Sequence, residues 1–199
     1  MANDRTLEQG DLVLIDAGAA VGLYAADVTR TLPVGGAFGE VEAAVYEVVE
    51  AARRAAVATV APGADVASVH EAAVQVLVEG LVDLGVLQGP AGDLGEGAHT
   101  PFFPHQTSHW LGLDVHDVGD YAVGGRPRLL EPGMVLTVEP GLYFGPSALA
   151  SAGESAARFE GLGVRIEDDV LVTREGGEVL TSGFPTDPSE VAALVADTA

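Results

Sequence analysis

Residues 11–18, DLVLIDAG, and 26–34, ADVTRTLPV, are rich in β-branched and aliphatic side chains that partly alternate with polar ones. That period of two predicts two strands, and the glycine turn around Gly22 predicts that they form a hairpin. From residue 39 the period changes. Val41, Val45, Val48, Val49 and Ala52 fall on one face of a helix over 39–60, which Pro62 and Gly63 then stop. A second helix is predicted over about 65–84, followed by a glycine-rich loop, LGVLQGPAGDLGEG. Shorter apolar runs near 109–115, 134–144 and 163–173 read as strands. DPSEV opens a last helix, with Asp187 as its cap and Pro188 in its first turn.

This mixture of strands and helices, without a repeat or a low-complexity linker, suits one α+β domain. A length of 199 residues with 48% apolar content can bury one real core. The polar start MANDRTLEQGDL lacks the apolar stretch of a secretory signal, and no run approaches the length of a membrane span. Cysteine is absent, which removes thiol chemistry and fits a cytoplasmic protein. All nine basic residues are arginines, so Schiff-base chemistry has no lysine to use. A formal charge of -21 would repel nucleic acid and anionic membranes, and neither is an expected partner.

The acidic residues change the picture where they sit inside apolar runs. Asp16 ends LVLID, Asp27 precedes VTRT, Glu139 interrupts MVLTVEPG and Glu167 closes GVRIE. A carboxylate in such a setting has to be paired, hydrogen-bonded, protonated or bound to metal. Each alone reads as an ordinary acid at a strand end. Yet HQTSHWLGLDVHD also gathers His105, His109 and His116 around Trp110. Four carboxylates with one imidazole would balance two divalent cations, and so oxygen-rich a set suits Mn²⁺, Co²⁺ or Zn²⁺.

The ordered blocks IDAG, DVTRT, SHWLGLDVHD, EPGMVLTVEPGLY and GVRIEDD resemble the pita-bread metallopeptidases, in their Xaa-Pro aminopeptidase and Xaa-Pro dipeptidase branch. Methionine aminopeptidases are less similar, since they carry GHGIG where this chain has SHWLG. The resemblance implies a curved, mostly antiparallel sheet flanked by helices. It implies two divalent ions, Mn²⁺ ahead of Co²⁺ or Zn²⁺, held by Asp16, Asp27, His109, Glu139 and Glu167, with Asp27 and Glu167 as bridges. Glu139 would double as general base. His105 and His116 would contact the substrate, a peptide with proline in second position, and Arg165 and Arg126 would anchor it or support the ligands. Trp110 and Tyr143 read first as core aromatics, with Tyr143 also a candidate substrate contact. His70 and His99 read as ordinary histidines.

Members of this family carry further helices and strands before the segment matching NDRTLEQGDLVLID. Residues 1–199 are therefore expected to be a partial catalytic domain, with the first part of its first pseudo-symmetric half missing. Self-association or a complementary N-terminal segment would then cover the exposed faces. The alternative is a non-catalytic or partner-dependent remnant that serves as a binding or structural module.

Overall fold

The computed structural model describes residues 4–196. Strand β1 (Leu12–Ala17) pairs antiparallel with β4 (Val28–Pro33), which sets Asp16 opposite Thr29. The hairpin expected around Gly22 is present, and its tip is a small ribbon of β2 (Ala20–Val21) and β3 (Tyr24–Ala25). Gly22 and Leu23 turn that tip with φ of 59° and 75°, the left-handed pair that a two-residue hairpin turn of this hand requires.

Helices α1 (Glu40–Thr59) and α2 (Val66–Asp83) follow within the expected spans 39–60 and 65–84. Val45, Val49 and Ala52 are fully buried, while Val41 and Val48 pack at the edge of the same cluster. Asp65 begins α2 with a capping box: its carboxylate accepts from the Ser68 amide at 2.8 Å, and the Ser68 hydroxyl lies 3.2 Å from the Asp65 amide. The helices meet closely at Gly80, where an added Cβ would lie 2.3 Å from Cγ1 of Val48. Gly80→Ala should therefore lower the melting temperature, because overpacking of about 1–3 kcal/mol outweighs the roughly 1 kcal/mol gain in helix propensity. Adding Val48→Ala should restore it. A melting temperature that rises in the single variant would mean that Val48 turns aside freely.

The second half of the chain begins with an irregular stretch containing one 3₁₀ turn at Ala91–Asp93. A two-residue ribbon, β5 (Ala122–Val123) and β6 (Arg126–Pro127), comes next. Then follow β7 (Val135–Val138), β8 (Gly141–Tyr143), the short helix α3 (Pro146–Leu149), a 3₁₀ helix (Glu154–Phe159), β9 (Gly163–Arg165), β10 (Asp168–Val172), β11 (Gly177–Val179) and α4 (Pro188–Ala196). β11, β10 and β7 form an antiparallel sheet, and β8 pairs with β9. β4 lies beside the junction of β9 and β10, since Glu167 N donates to Thr29 O at 3.0 Å and Thr31 Oγ1 donates to Arg165 O at 3.0 Å. One apolar cluster runs from α1 and α2 through Phe102, Leu136, Phe144 and Ile166.

Three strand expectations change in detail. Residues 109–115 are not a strand: Trp110 makes one bridge to Leu136, and the chain then bends. Pairing ends with the Leu111 amide on the Val135 carbonyl and the Ala25 amide on the Gly112 carbonyl, and Leu113 and Val115 stay exposed. The run 134–144 splits into β7 and β8 at Glu139 and Pro140, because proline has no amide to give the ladder. The run 163–173 splits into β9 and β10 at Ile166 and Glu167, directly across from that break. Among the described residues, no helix is long and apolar enough to cross a membrane.

Candidate metal centre

Both strand breaks fall at acidic residues. The register pairs Val138 with Asp168 and Gly141 with Arg165, so Glu139 and Glu167 face one another across the interrupted ladder. Asp27 stands just before β4, whose partner strand carries Asp16. His109 is held in the irregular stretch by its backbone: its amide donates to Thr137 Oγ1 at 3.1 Å and its carbonyl accepts from the Thr137 amide at 3.0 Å.

These placements bring the five expected ligands together, four of them inside and Asp16 at the rim beside Asp27. His109 Nε2 lies 3.5 Å from Asp27 Oδ2 and 3.5 Å from Glu139 Oε1. Asp27, His109 and Glu167 each offer one donor atom within 4.8 Å of the others. His109 Nδ1 donates to the Trp110 carbonyl at 3.0 Å, which leaves the Nε2 lone pair of the neutral ring facing the carboxylates. Asp16 stands at the rim with its side chain 46% exposed, where Arg165 NH2 donates to its Oδ2.

The carboxylates are crowded and mostly dry. Burial pushes Glu167 up to about 8, and repulsion from Glu139, Asp27 and Asp16 adds to it. Burial likewise pushes Glu139 up to about 7 against the opposing pull of Arg165. Asp27 is raised by burial and then by its hydrogen bond with Asp16. Arg165 donates to Thr29 Oγ1 and to Tyr143 OH, each at 3.2 Å, but comes only within 3.9 Å of Glu139. It leaves most of the negative charge unmatched. A set of oxygen donors with one imidazole, too crowded to ionise together, fits divalent cations.

The remaining candidates divide. His105 Nδ1 donates to the Gln106 carbonyl at 2.9 Å and its Nε2 accepts from Tyr143 OH at 2.8 Å. Tyr143, half-buried, thus joins His105 to Arg165 rather than only filling the core. The exposed His116 ring stands 4.2 Å from that of His109, centre to centre. Arg126 is not brought to the carboxylates. It lies exposed on β6 and lines a cavity of about 580 Å³ that it shares with Gln106, Ser108 and His109. Trp110 is a core aromatic, 7% exposed and stacked on Tyr121.

Several supporting residues escape a reading that looks for acids and histidines. Thr29 Oγ1 donates to Glu167 Oε2 at 2.6 Å, and Thr137 Oγ1 to Glu139 Oε1 at 3.4 Å. Their signal was the spacing: each lies two residues from a carboxylate, hence on the same strand face. His70 Nδ1 accepts from the Thr107 amide at 3.2 Å, and the Thr107 carbonyl accepts from the Glu139 amide at 2.8 Å. His70 so fixes the loop behind the site from α2, a contact that no local pattern marks.

The sequence pattern of metallopeptidase family M24 matches residues 1–174. Xaa-Pro aminopeptidase of Escherichia coli is 46% identical over 97% of this chain and 43% of its own length. Human Xaa-Pro aminopeptidase 3 is 35% identical over 95% of the chain and 36% of its own length. The chain thus spans less than half of these curated relatives. Among solved structures, aminopeptidase PepP of Pseudomonas aeruginosa superposes with a TM-score of 0.92 at 48% identity, over 98% of this chain and 43% of that one. Proline aminopeptidase P II of Yersinia pestis gives 0.89 at 49% identity, over 98% of this chain and 44% of that one.

Proposed function

The chain belongs to metallopeptidase family M24, and from that premise we propose that it hydrolyses the peptide bond between an N-terminal residue and a penultimate proline, using two divalent metal ions. The observation that carries the reading is the convergence of Asp27, His109 and Glu167, with donor atoms within 4.8 Å, in a chain 46% identical to an Xaa-Pro aminopeptidase. Asp16 and Asp27 would hold one ion, His109 and Glu139 the other, with Asp27 and Glu167 shared. Mn²⁺ suits the oxygen-rich set best, ahead of Co²⁺ or Zn²⁺. When bound, two such ions acidify a shared water and polarise the carbonyl to be attacked.

The protein's own groups do the rest. Glu139 takes the proton of the attacking water and returns it to the departing proline nitrogen. The exposed His116, beside His109, faces the peptide and steadies the oxygen that gains charge. His105 is held by Gln106 and Tyr143 at both ring nitrogens, so its ring has a fixed orientation toward the substrate. Arg165 ties Asp16 to Tyr143 and Thr29, and Arg126 stands in the adjoining cavity wall to meet the peptide further along.

Metal analysis joined to a peptide assay tests the proposal. Purified protein should take up close to two ions per chain and cleave an Xaa-Pro peptide in preference to the matching Xaa-Ala peptide. Metal uptake near zero in excess Mn²⁺ would overturn it.

One observation favours the partner-dependent reading. Asp16 is open at the rim, and around the ribbon of β2 and β3 the side chains of Val21, Leu23, Tyr24, Leu113, Val115 and Val118 are all exposed. The Ala25 amide bonds to the Gly112 carbonyl at 2.8 Å, which makes these one patch. Such a patch calls for cover by a second copy or a complementary segment, with hydrolysis rising once it is covered. Light scattering should show self-association of the isolated chain. A fully active monomer would argue against any such cover.

A further inference from the structure

Arg30 lies outside the acidic cluster and is almost completely buried, yet all five of its donor hydrogens are used. NH1 donates to the carbonyls of Thr29 and Glu167 at 2.8 and 2.6 Å. NH2 donates to Asp168 Oδ1 at 2.7 Å and to the Phe184 carbonyl at 2.8 Å, and Nε donates to the Pro185 carbonyl at 2.9 Å. Asp168, 1% exposed, takes a second arginine, Arg53, at 2.8 Å and the Thr181 hydroxyl at 2.6 Å. Glu50 in turn binds Arg53 through both oxygens at 2.7 Å. Two arginines meet two carboxylates in this set, so it is neutral as a whole and lends no charge to the site in front of it.

What distinguishes the set is where it ends. Glu167 is gripped at three points by β4 and its arginine: its amide by the Thr29 carbonyl at 3.0 Å, its carbonyl by Arg30, and its Oε2 by the Thr29 hydroxyl at 2.6 Å. A buried ion pair is often no better for stability than apolar residues of equal volume. A fork that ties the Glu167 carbonyl and the adjacent Asp168 side chain to Thr29 of β4 and to the carbonyls of Phe184 and Pro185 does something that apolar packing cannot. It fixes the Glu167 carboxylate in space.

We infer that Arg30, clamped by Asp168, and Thr29 are positioning residues for Glu167. They hold its carboxylate at the point where the two metal ions would share it. The inference rests on the proposed reading of Glu167 as a metal ligand. Because Asp168 matches the Arg30 charge, the clasp orients Glu167 without neutralising the site that has to attract cations.

Co²⁺ alone is a sufficient probe, followed by titration calorimetry and by its visible absorption, beside thermal melts of the metal-free chain. Thr29→Val removes only the hydroxyl and keeps the side-chain shape. It should weaken Co²⁺ binding about 10- to 100-fold, as loss of an outer hydrogen bond to a ligand does, beyond the drop in metal-free melting temperature caused by leaving Glu167 and Arg165 without that hydroxyl. Thr29→Ser, which retains the hydroxyl, should restore affinity. Arg30→Lys keeps the charge and loses the fork, and should alter the Co²⁺ spectrum as well as weaken binding. Parent-like affinity and spectrum in both Thr29→Val and Arg30→Lys would overturn the inference, as would a Thr29→Ser variant as weak as Thr29→Val. If the parent itself takes up no Co²⁺, the reading of Glu167 as a ligand fails and this inference falls with it.

Discussion

His109→Ala should empty the site of metal, whereas His116→Ala should leave metal content unchanged and reduce turnover by about 10²–10³. The two rings stand only 4.2 Å apart, so proximity alone would give them the same fate. Their surroundings differ. His109 is locked by its own backbone pairing with Thr137 and by the Nδ1 bond to the Trp110 carbonyl, so Nε2 points at Asp27 and Glu139 with its lone pair free. His116 is exposed and lies beyond it. Removing a direct donor should cost more than the roughly 10- to 100-fold typical of an outer partner. Metal content by atomic absorption and kcat on an Xaa-Pro peptide separate the two cases. Equal loss of metal in both variants would mean that the division of the cluster is wrong.

The metal-free chain should become less stable as pH rises from about 5 to about 8. Glu139 and Glu167 keep their protons in the fold up to about 7 and about 8, while the unfolded chain releases them near 4.5. Their folded values are raised, so the fold binds more protons than the unfolded state within that window. Stability is therefore full below the unfolded value and is lost as pH climbs toward the folded ones. Asp169, raised to about 6, acts in the same direction, whereas His70, His99 and His105, each lowered from 6.5 by burial, act in the opposite one, and the two glutamates with their larger shifts outweigh them. Asp11 and Asp187 are held down by hydrogen bonds to Arg5 and Ser189, and they titrate below the window. At 1.36 kcal/mol per pK unit the combined loss is on the order of several kcal/mol. Saturating Mn²⁺ should reverse the slope, because cations bind the ionised carboxylates and compete with protons. Urea unfolding at pH 5.5 and pH 8, with and without Mn²⁺, reads both slopes. Metal-free stability that rises across the window would refute the assignment of these two groups as the crowded pair.

Legibility along the chain followed the range of the interactions. Helix α1 was visible because Val45, Val49 and Ala52 repeat with the helical period. The acidic candidates were visible because charge inside LVLID or MVLTVEPG is costly enough to require a reason. Pro140 could have marked the break between β7 and β8, but its counterpart at Ile166 and Glu167 has no local sign, since it arises from pairing with the first break. The bends after Trp110 were hidden by an alternation that looks like a strand. Arg30 looked like one more polar residue of a half-buried strand. Its five acceptors come from Thr29 and from residues as much as 155 positions away, which no window of sequence brings together.

The β9–β10 junction, with Glu167 in its gap, has a kinetic consequence. The Thr29 hydroxyl and the Glu167 carboxylate that it meets are 138 residues apart, and Arg165 reaches Asp16 across 149. Asp16 and Asp27 lie on one hairpin and can meet early, but two carboxylates alone hold a cation weakly. Closing the longer loop comes at an entropy cost that no ion can offset beforehand. Metal held at the proposed site would therefore join after the ends of the chain have docked, and its binding energy would enter after the folding barrier. Loaded protein should fold no faster than the bare chain and should unfold far more slowly, the ions then serving as a latch on an already closed structure.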